Sequence, residues 1–270
     1  MMIYKAPRRR LGQHFLFDDK VIRRIVDYAS LSPRDIVLEV GAGLGSLTFK
    51  LAEEAGRVIA VEKDQRLYRR LKQKLSRVDN VELVYGDVFK VALPYFNKVV
   101  SNLPYSISKE FTLWLLRSKF ERAVLLLQRE YADKLAAPPG SEHYSWISAV
   151  SQLFAQVSLR EVIPKSLFDP PPKVDSRIVI LNPRFEKGIL KDELENFSLK
   201  LFSYKNKRLL NALRIIHGRD RGGFLKAYFN SLEEEGFPLN IRVRQLTPDM
   251  VERLFRIWDD LRRGWRVGST

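Results

Sequence analysis

The chain has no cysteine among its 270 residues. That absence excludes disulfides, thiolate nucleophiles and cysteine-ligated zinc. Its three histidines, at 14, 143 and 217, are too scattered to suggest a histidine-rich metal centre, and none is expected. Long apolar runs are also missing: none approaches the ~20 residues that a membrane-spanning helix needs. The N-terminal stretch MMIYKAPRRRLGQHFL is basic and lacks the apolar core of a secretion signal. A cytoplasmic protein is expected. Acidic residues are in deficit, 32 against 47 Lys and Arg, for a formal net charge of +15. Such an excess predicts a polyanionic partner, because each cation that neutralises a phosphate releases counterions. A basic surface kept for solubility would produce the same number.

What the chain has is a regular alternation. IVLEV (36–40), RVIAVE (57–62), VELVY (81–85), NKVVS (97–101) and AVLLLQ (123–128) are short apolar runs separated by amphipathic stretches. That pattern predicts an α/β fold, a parallel sheet covered on both faces. Asp64 is placed to N-cap a helix with Leu67, Leu71 and Leu75 on one face. VSLREVI (157–163) and VDSRIVIL (174–181), on either side of a proline-rich turn, read as an antiparallel pair at the sheet edge. After Asn182-Pro183 only helical periods remain, in ENFSLKLFSY, KRLLNALRIIH, GFLKAYFNSL and PDMVERLFRIWDDLRR. The expected domains are 1–183 and a helical 184–270.

Gly41-Ala-Gly43-Leu-Gly45 follows the first of these apolar runs and opens a helix. Glycines there let the backbone approach a ligand beside free helix N–H groups, and a tight strand-to-helix turn would use them equally well. The spacing is neither G-x-G-x-x-G nor G-x-x-x-x-G-K-[ST], which argues against a dinucleotide site and a P-loop. Glu62 ends the next run, where a carboxylate can accept both hydroxyls of a ribose. Asp87 follows the third, in reach of an adenine amino group, and Ser101-Asn102-Leu103-Pro104-Tyr105 ends the fourth. Gly41, Glu62, Asp87 and Asn102 thus fall at the carboxyl ends of successive strands, the rim where open α/β sheets bind ligands.

Together these features resemble the S-adenosylmethionine-dependent adenine amino-methyltransferases. GQHFLFDD (12–19), EVGAGLGSLT (39–48), VEKD (61–64), GDV (86–88), NLPYSIS (102–108) and IPKSLFDPPPKVDS (163–176) narrow the resemblance to the small-subunit ribosomal RNA adenine dimethyltransferase family. The blocks run in that family's order over almost the whole chain. His14 departs from the Asn usual in bacterial members and is similar to the archaeal and eukaryotic branch. The resemblance implies a Rossmann-like class I methyltransferase sheet with a small all-helical C-terminal domain that binds RNA. It implies S-adenosylmethionine as cofactor, in a pocket lined by His14, Leu16, Gly41, Gly43, Glu62, Asp87 and Asn102. His14 could equally be a packing or capping residue.

Asn102 and the carbonyl of Leu103 or Pro104 are implied as acceptors for the target amine, with Pro104 stiffening the turn. Tyr105 and Phe168 are implied as the two faces that stack on an extruded base, Phe168 from an exposed proline-rich loop. Arg8, Arg9 and Arg10, and Lys205, Lys207 and Arg208 in the C-terminal domain, are expected to contact phosphates of small-subunit rRNA. The expected enzyme is a monomer that dimethylates two adjacent adenines near the 3′ end of that rRNA during subunit biogenesis.

Three rivals remain. A methylase of large-subunit rRNA usually reads N-I-P-Y where this chain has Leu103. A non-catalytic assembly factor would have little use for an intact rim. A nicotinamide oxidoreductase fails on the glycine spacing.

Overall fold

A computed structural model describes residues 13–184, 191–218 and 223–267. They form two compact units. The first takes in residues up to 132 together with Gln156–Pro183. It opens with β1 (Phe15–Leu16) and α1 (Asp19–Ala29), whose first turn is capped by Asp18 accepting from the Val21 N–H at 2.9 Å. Then come β2 (Ile36–Val40), α2 (Ser46–Glu54), β3 (Arg57–Glu62), α3 (Gln65–Lys74), β4 (Val81–Tyr85), β5 (Lys98–Asn102), α4 (Ser108–Arg117) and β6 (Arg122–Gln128).

All five predicted central strands are present. In β2, β3, β5 and β6 consecutive residues are buried, as in a parallel sheet covered on both faces, whereas β4 at the edge is only partly buried. Asp64 does cap α3, accepting from Arg66 and Leu67, and Leu67, Leu71 and Leu75 are its buried face. Each buried leucine contributes about 1.5–3 kcal/mol.

The helices α5 (Arg129–Leu135) and α6 (Trp146–Phe154) follow, then β7 (Ala155–Ile163), β8 (Phe168–Asp169) and β9 (Ser176–Pro183). The seven-stranded sheet has the order β4-β3-β2-β5-β6-β9-β7. β4, β3, β2, β5 and β6 are mutually parallel, and β9 runs antiparallel to β6. The short strands β1 and β8 form a separate antiparallel pair, with Leu16 opposite Phe168. From β2 the chain builds outward through β3 and β4, then returns to the other side of β2 with β5. That reversal makes the carboxyl ends of β2 and β5 a topological switch point, where a crevice opens.

The second unit contains Asp133–Ala155 and the described residues from Arg184 onward. Its helices are α6, α7 (Lys191–Phe202), α8 (Leu209–His217), α9 (Phe224–Glu234) and α10 (Pro248–Val267). The chain therefore does not divide at a single cut near 183. Residues 133–155 pack with the C-terminal helices: α6 meets α7 and α10, and the buried Tyr144 hydroxyl donates to the Leu246 carbonyl at 2.8 Å. The reason is composition. In α6, WISAVSQLF, seven of nine residues are buried, so it needs apolar partners around most of its circumference. Tyr228, fully buried, likewise donates to the Leu254 carbonyl at 2.8 Å. Among the described residues no helix is long and apolar enough to cross a membrane.

Candidate active site

The crevice at the switch point is a cavity of about 190 Å³ within the first unit. His14, Leu16, Gly41, Gly43, Glu62, Asp87, Asn102, Leu103, Pro104 and Tyr105 all line it. Sheet topology explains the convergence. β2, β3, β4 and β5 end side by side, so turns distant in sequence become neighbours.

The glycine turn is the floor. Gly41 and Ala42 donate to the Val61 carbonyl at 2.8 and 3.2 Å, which pins the turn to the end of β3. Gly41 sits at φ +78°, and a Cβ there would stand 3.1 Å from the Pro104 ring. Gly43, at φ +58°, would meet the Phe15 ring at 3.0 Å. Both positions need glycine for backbone conformation and for close approach. Pro104 thus rests on the turn, joining the two motifs physically.

Glu62 is buried, and both carboxylate oxygens are engaged. Oε2 accepts from the Gly43 N–H at 2.8 Å and Oε1 from the Asp64 N–H at 2.7 Å. It therefore ties the glycine turn to the cap of α3, with a second lone pair on each oxygen left for a ligand. Burial pushes its carboxyl up, partly countered by those main-chain donors. Asp87 is different. Lys63 pairs with its Oδ2 at 2.8 Å and the Phe89 N–H reaches Oδ1 at 3.2 Å, and the Lys63 bond holds its carboxyl below the usual range.

Glu39 does not stand out in the sequence-based reading of the site. It is 2% exposed, lines the cavity, and its Oε2 has no hydrogen-bond partner. Burial pushes its carboxyl up to about 8; Thr48 opposes the shift, and the Glu62 charge adds to it. A single charge inside the apolar run IVLEV is the signal that could have found it.

On the β5 side, the Ser101 hydroxyl donates to the Val40 carbonyl at 2.6 Å, past the β2–β5 register of Val37↔Lys98 and Leu38↔Val99. The Asn102 amide nitrogen donates to the His14 carbonyl at 3.2 Å, and His14 Nδ1 bonds the Pro170 carbonyl at 2.8 Å. The Pro104 carbonyl is used locally, by the Ile107 N–H at 3.1 Å and the Ser108 hydroxyl at 3.4 Å. Tyr105 is a half-buried part of the cavity wall, its hydroxyl 2.6 Å from Ser176 Oγ and its ring 5.6 Å from that of His14.

Phe168 does not sit on an exposed loop. It is 2% exposed and does not line the cavity. Pairing with Leu16 across β1 and β8 places it in the core with Leu16, Ile22, Ile163 and Ile178. The proline run that suggests an exposed loop begins two residues later, at Pro170.

Arg8, Arg9 and Arg10 lie outside the described residues. In the second unit, Lys207 and Arg208 are exposed and Lys205 is half-buried. Residues 205–208 join a second segment: Arg244 N donates to the Lys205 carbonyl at 2.9 Å, Val243 N to that of Lys207 at 3.0 Å, and Arg208 bridges to Arg242. Arg242 and Arg244 therefore extend the cationic ribbon, which spacing along the sequence does not show.

The model of the family described as ribosomal RNA adenine dimethylase matches residues 5–233. A curated relative from Methanosarcina acetivorans, "Probable ribosomal RNA small subunit methyltransferase A", is 40% identical over 261 residues, covering 96% of each chain. The crystal structure of a dimethyladenosine transferase from Plasmodium falciparum superposes with a TM-score of 0.81 at 29% identity, over 92% of this chain and 98% of that one. The 23S rRNA methyltransferase ErmE follows at 0.69 and 28%, over 91% and 99%. The sheet is the class I S-adenosylmethionine-dependent methyltransferase sheet, and the chain belongs to the ribosomal RNA adenine dimethylase family.

Proposed function

We propose that this protein dimethylates the exocyclic amines of two adjacent adenines near the 3′ end of small-subunit rRNA, acting as a cytoplasmic monomer on an assembling subunit. The observation that carries the reading is that one cavity serves both halves of the site. It joins the glycine turn, Glu62 and Asp87 at the ends of β2, β3 and β4 to an amide, a rigid turn and an aromatic ring at β5.

The cavity fits S-adenosylmethionine. Gly41 and Gly43 keep clear the space that side chains would fill, and Glu39 brings a buried carboxyl whose Oε2 has no hydrogen-bond partner, which a positively charged ligand would favour in its ionised form. Glu62 would hold the ribose, Asp87 the adenine amino group, and Leu16 would wall the pocket. When bound, this group supplies a methyl on a positively charged sulfur.

The protein's part is to prepare the amine. The lone pair of an adenine amine is delocalised into the ring, so the amine is a poor nucleophile. Asn102 Oδ1 and one main-chain carbonyl accept its two hydrogens and turn the lone pair toward the methyl. With the Pro104 carbonyl committed to Ile107 and Ser108, the Leu103 carbonyl is the better second acceptor. Pro104 fixes both acceptors before the base arrives, which is electrostatic preorganisation. Tyr105 offers its face to the extruded base. The proton leaves to solvent after the nitrogen is alkylated.

The helical unit is the proposed RNA-holding part. Lys205, Lys207 and Arg208, with Arg242 and Arg244, would contact phosphates and so position the RNA without reading its bases.

Purified unmodified small subunits, large subunits and a short adenine-containing oligonucleotide, each incubated with protein and S-adenosylmethionine, test the reading by nucleoside mass spectrometry. Dimethyladenosine confined to small subunits is expected. Equal yield on large subunits would move the protein to the other branch.

A further inference from the structure

Three chain segments meet at the acceptor end of the cavity, and three hydrogen bonds close them into a ring. The Asn102 amide nitrogen donates to the His14 carbonyl at 3.2 Å. His14 Nδ1 bonds the Pro170 carbonyl at 2.8 Å. The chain then runs to Ser176, whose hydroxyl lies 2.6 Å from that of Tyr105, and three residues back from Tyr105 is Asn102 again. The 170–176 side of the ring is itself anchored. Asp175 accepts from the Lys165 N–H at 2.9 Å through its side chain and from the Arg129 N–H at 3.0 Å through its carbonyl.

The donor and acceptor roles are forced. A carbonyl oxygen only accepts, so Nδ1 of His14 carries its hydrogen, and the Asn102 amide must turn its nitrogen toward residue 14. That leaves Oδ1 as the end of the amide available to a substrate. An amide turned the other way would present N–H groups to an amine that also needs its hydrogens accepted, and two donors would face each other. Orientation of the amide is therefore as necessary as its presence. The residue that sets it belongs to the N-terminal segment.

We propose that His14 is a positioning residue for the methyl acceptor: its imidazole, held by the Pro170 carbonyl, fixes its own main-chain carbonyl, which in turn fixes the Asn102 amide with Oδ1 toward the target amine. This rests on the proposed role of Asn102 and adds a cause for its geometry. The imidazole is committed to Pro170, so removing it should disturb the acceptor end of the cavity more than the cofactor end.

The test compares His14→Ala, His14→Asn and Asn102→Ala with the parent protein, measuring kcat and KM on unmodified small subunits and S-adenosylmethionine affinity by calorimetry. Asn at position 14 can offer its side-chain N–H where Nδ1 now donates, so it preserves the Pro170 bond. His14→Ala is expected to lower kcat about tenfold, the effect of losing one well-placed hydrogen bond. KM and cofactor affinity should stay within about twofold, and His14→Asn should restore most of kcat. A purely structural loss would not be rescued selectively in kcat. Weakened cofactor binding with unchanged kcat at saturation in His14→Ala would overturn the proposal and make His14 a wall of the cofactor pocket. An Asn variant as slow as the Ala variant would overturn it too. Full turnover by Asn102→Ala would instead remove the parent reading, so the two failures are separable.

Discussion

The rim of the cavity and the cationic ribbon of the helical unit are built on opposite principles. At the rim, functional groups are buried or half-buried and joined to the backbone by short bonds, as with Glu62 to Gly43 and Asp64, or Asn102 to His14. Along the ribbon, Lys207, Arg208 and Arg242 are exposed, and the order lies in the backbone that links the two segments. Buried polar groups act as a unit, because losing one partner strands another. Exposed cations act one by one against a screened, diffuse phosphate charge. Changes at the rim should therefore be large and indifferent to salt, while those on the ribbon should be small, cumulative and salt-dependent.

The largest expected effect lies just behind the rim. Phe168→Ala removes a buried ring and should cost about 3–5 kcal/mol of stability, read as a lowered denaturation midpoint. A variant as stable as its parent but unable to methylate would return Phe168 to the base-stacking role that the resemblance implies. Next comes Asn102→Ala, which should lower kcat about 10²–10³-fold, the range for removing one preorganised electrostatic partner. Cofactor affinity measured by calorimetry should hardly change. Tyr105→Phe keeps the stacking face and loses only the Ser176 bond, so it should retain far more activity than Tyr105→Ala.

Glu62→Ala should weaken S-adenosylmethionine binding by about 2–3 kcal/mol, the worth of a charge-assisted pair of hydrogen bonds. Because Glu62 also ties Gly43 to Asp64, the variant should show faster amide exchange at both positions. Unchanged cofactor affinity in the folded variant would remove Glu62 from the ribose site.

Glu39 makes a pH prediction. Its carboxyl is raised from the ordinary 4.5 to about 8, so the native state favours the neutral form. The stability it contributes is complete below the unfolded value. It is lost as pH climbs from about 4.5 to about 8, at no more than ~1.4 kcal/mol per pH unit. Glu39→Gln should flatten this part of the melting-temperature profile, and a profile with the same slope would mean that Glu39 ionises freely in the cavity.

How much of this is legible in the sequence differs along the same line. Strand ends can be read because four of the five apolar runs stop at a glycine, a carboxylate or Asn-Leu-Pro-Tyr, and parallel order then brings the ends together. The hydrogen bonds among those ends cannot. His14 and Pro170 are 156 residues apart, and no local pattern announces that one will accept from the other. Phe168 escapes a sequence reading because a two-residue pairing, β1 with β8, leaves no periodic trace. Chain order puts residues 133–155 with the sheet, whereas the nearly all-buried α6 follows its apolar partners into the helical unit. Arg242 and Arg244 lie more than thirty residues beyond Arg208, and only backbone pairing joins them to it.

The smallest effects, residue for residue, belong to the ribbon, and they test the comparison most directly. Lys205→Gln, Lys207→Gln and Arg208→Gln together should weaken RNA binding and flatten its log–log salt slope by about 2–3 units, at ~0.7–0.9 for each phosphate no longer neutralised. Adding Arg242→Gln and Arg244→Gln should flatten the slope further by similar steps, since all five side chains sit on the two paired segments. Turnover on bound subunits and S-adenosylmethionine affinity should stay at parental values, because none of the five lines the cavity. Asn102→Ala is the control at the rim: it should abolish most turnover and leave the salt slope intact. Filter binding of small subunits across a salt series, with turnover measured on the same preparations, reads both halves of the comparison. A slope unchanged by the triple substitution would show that these cations face solvent and that the phosphates are held elsewhere on the protein.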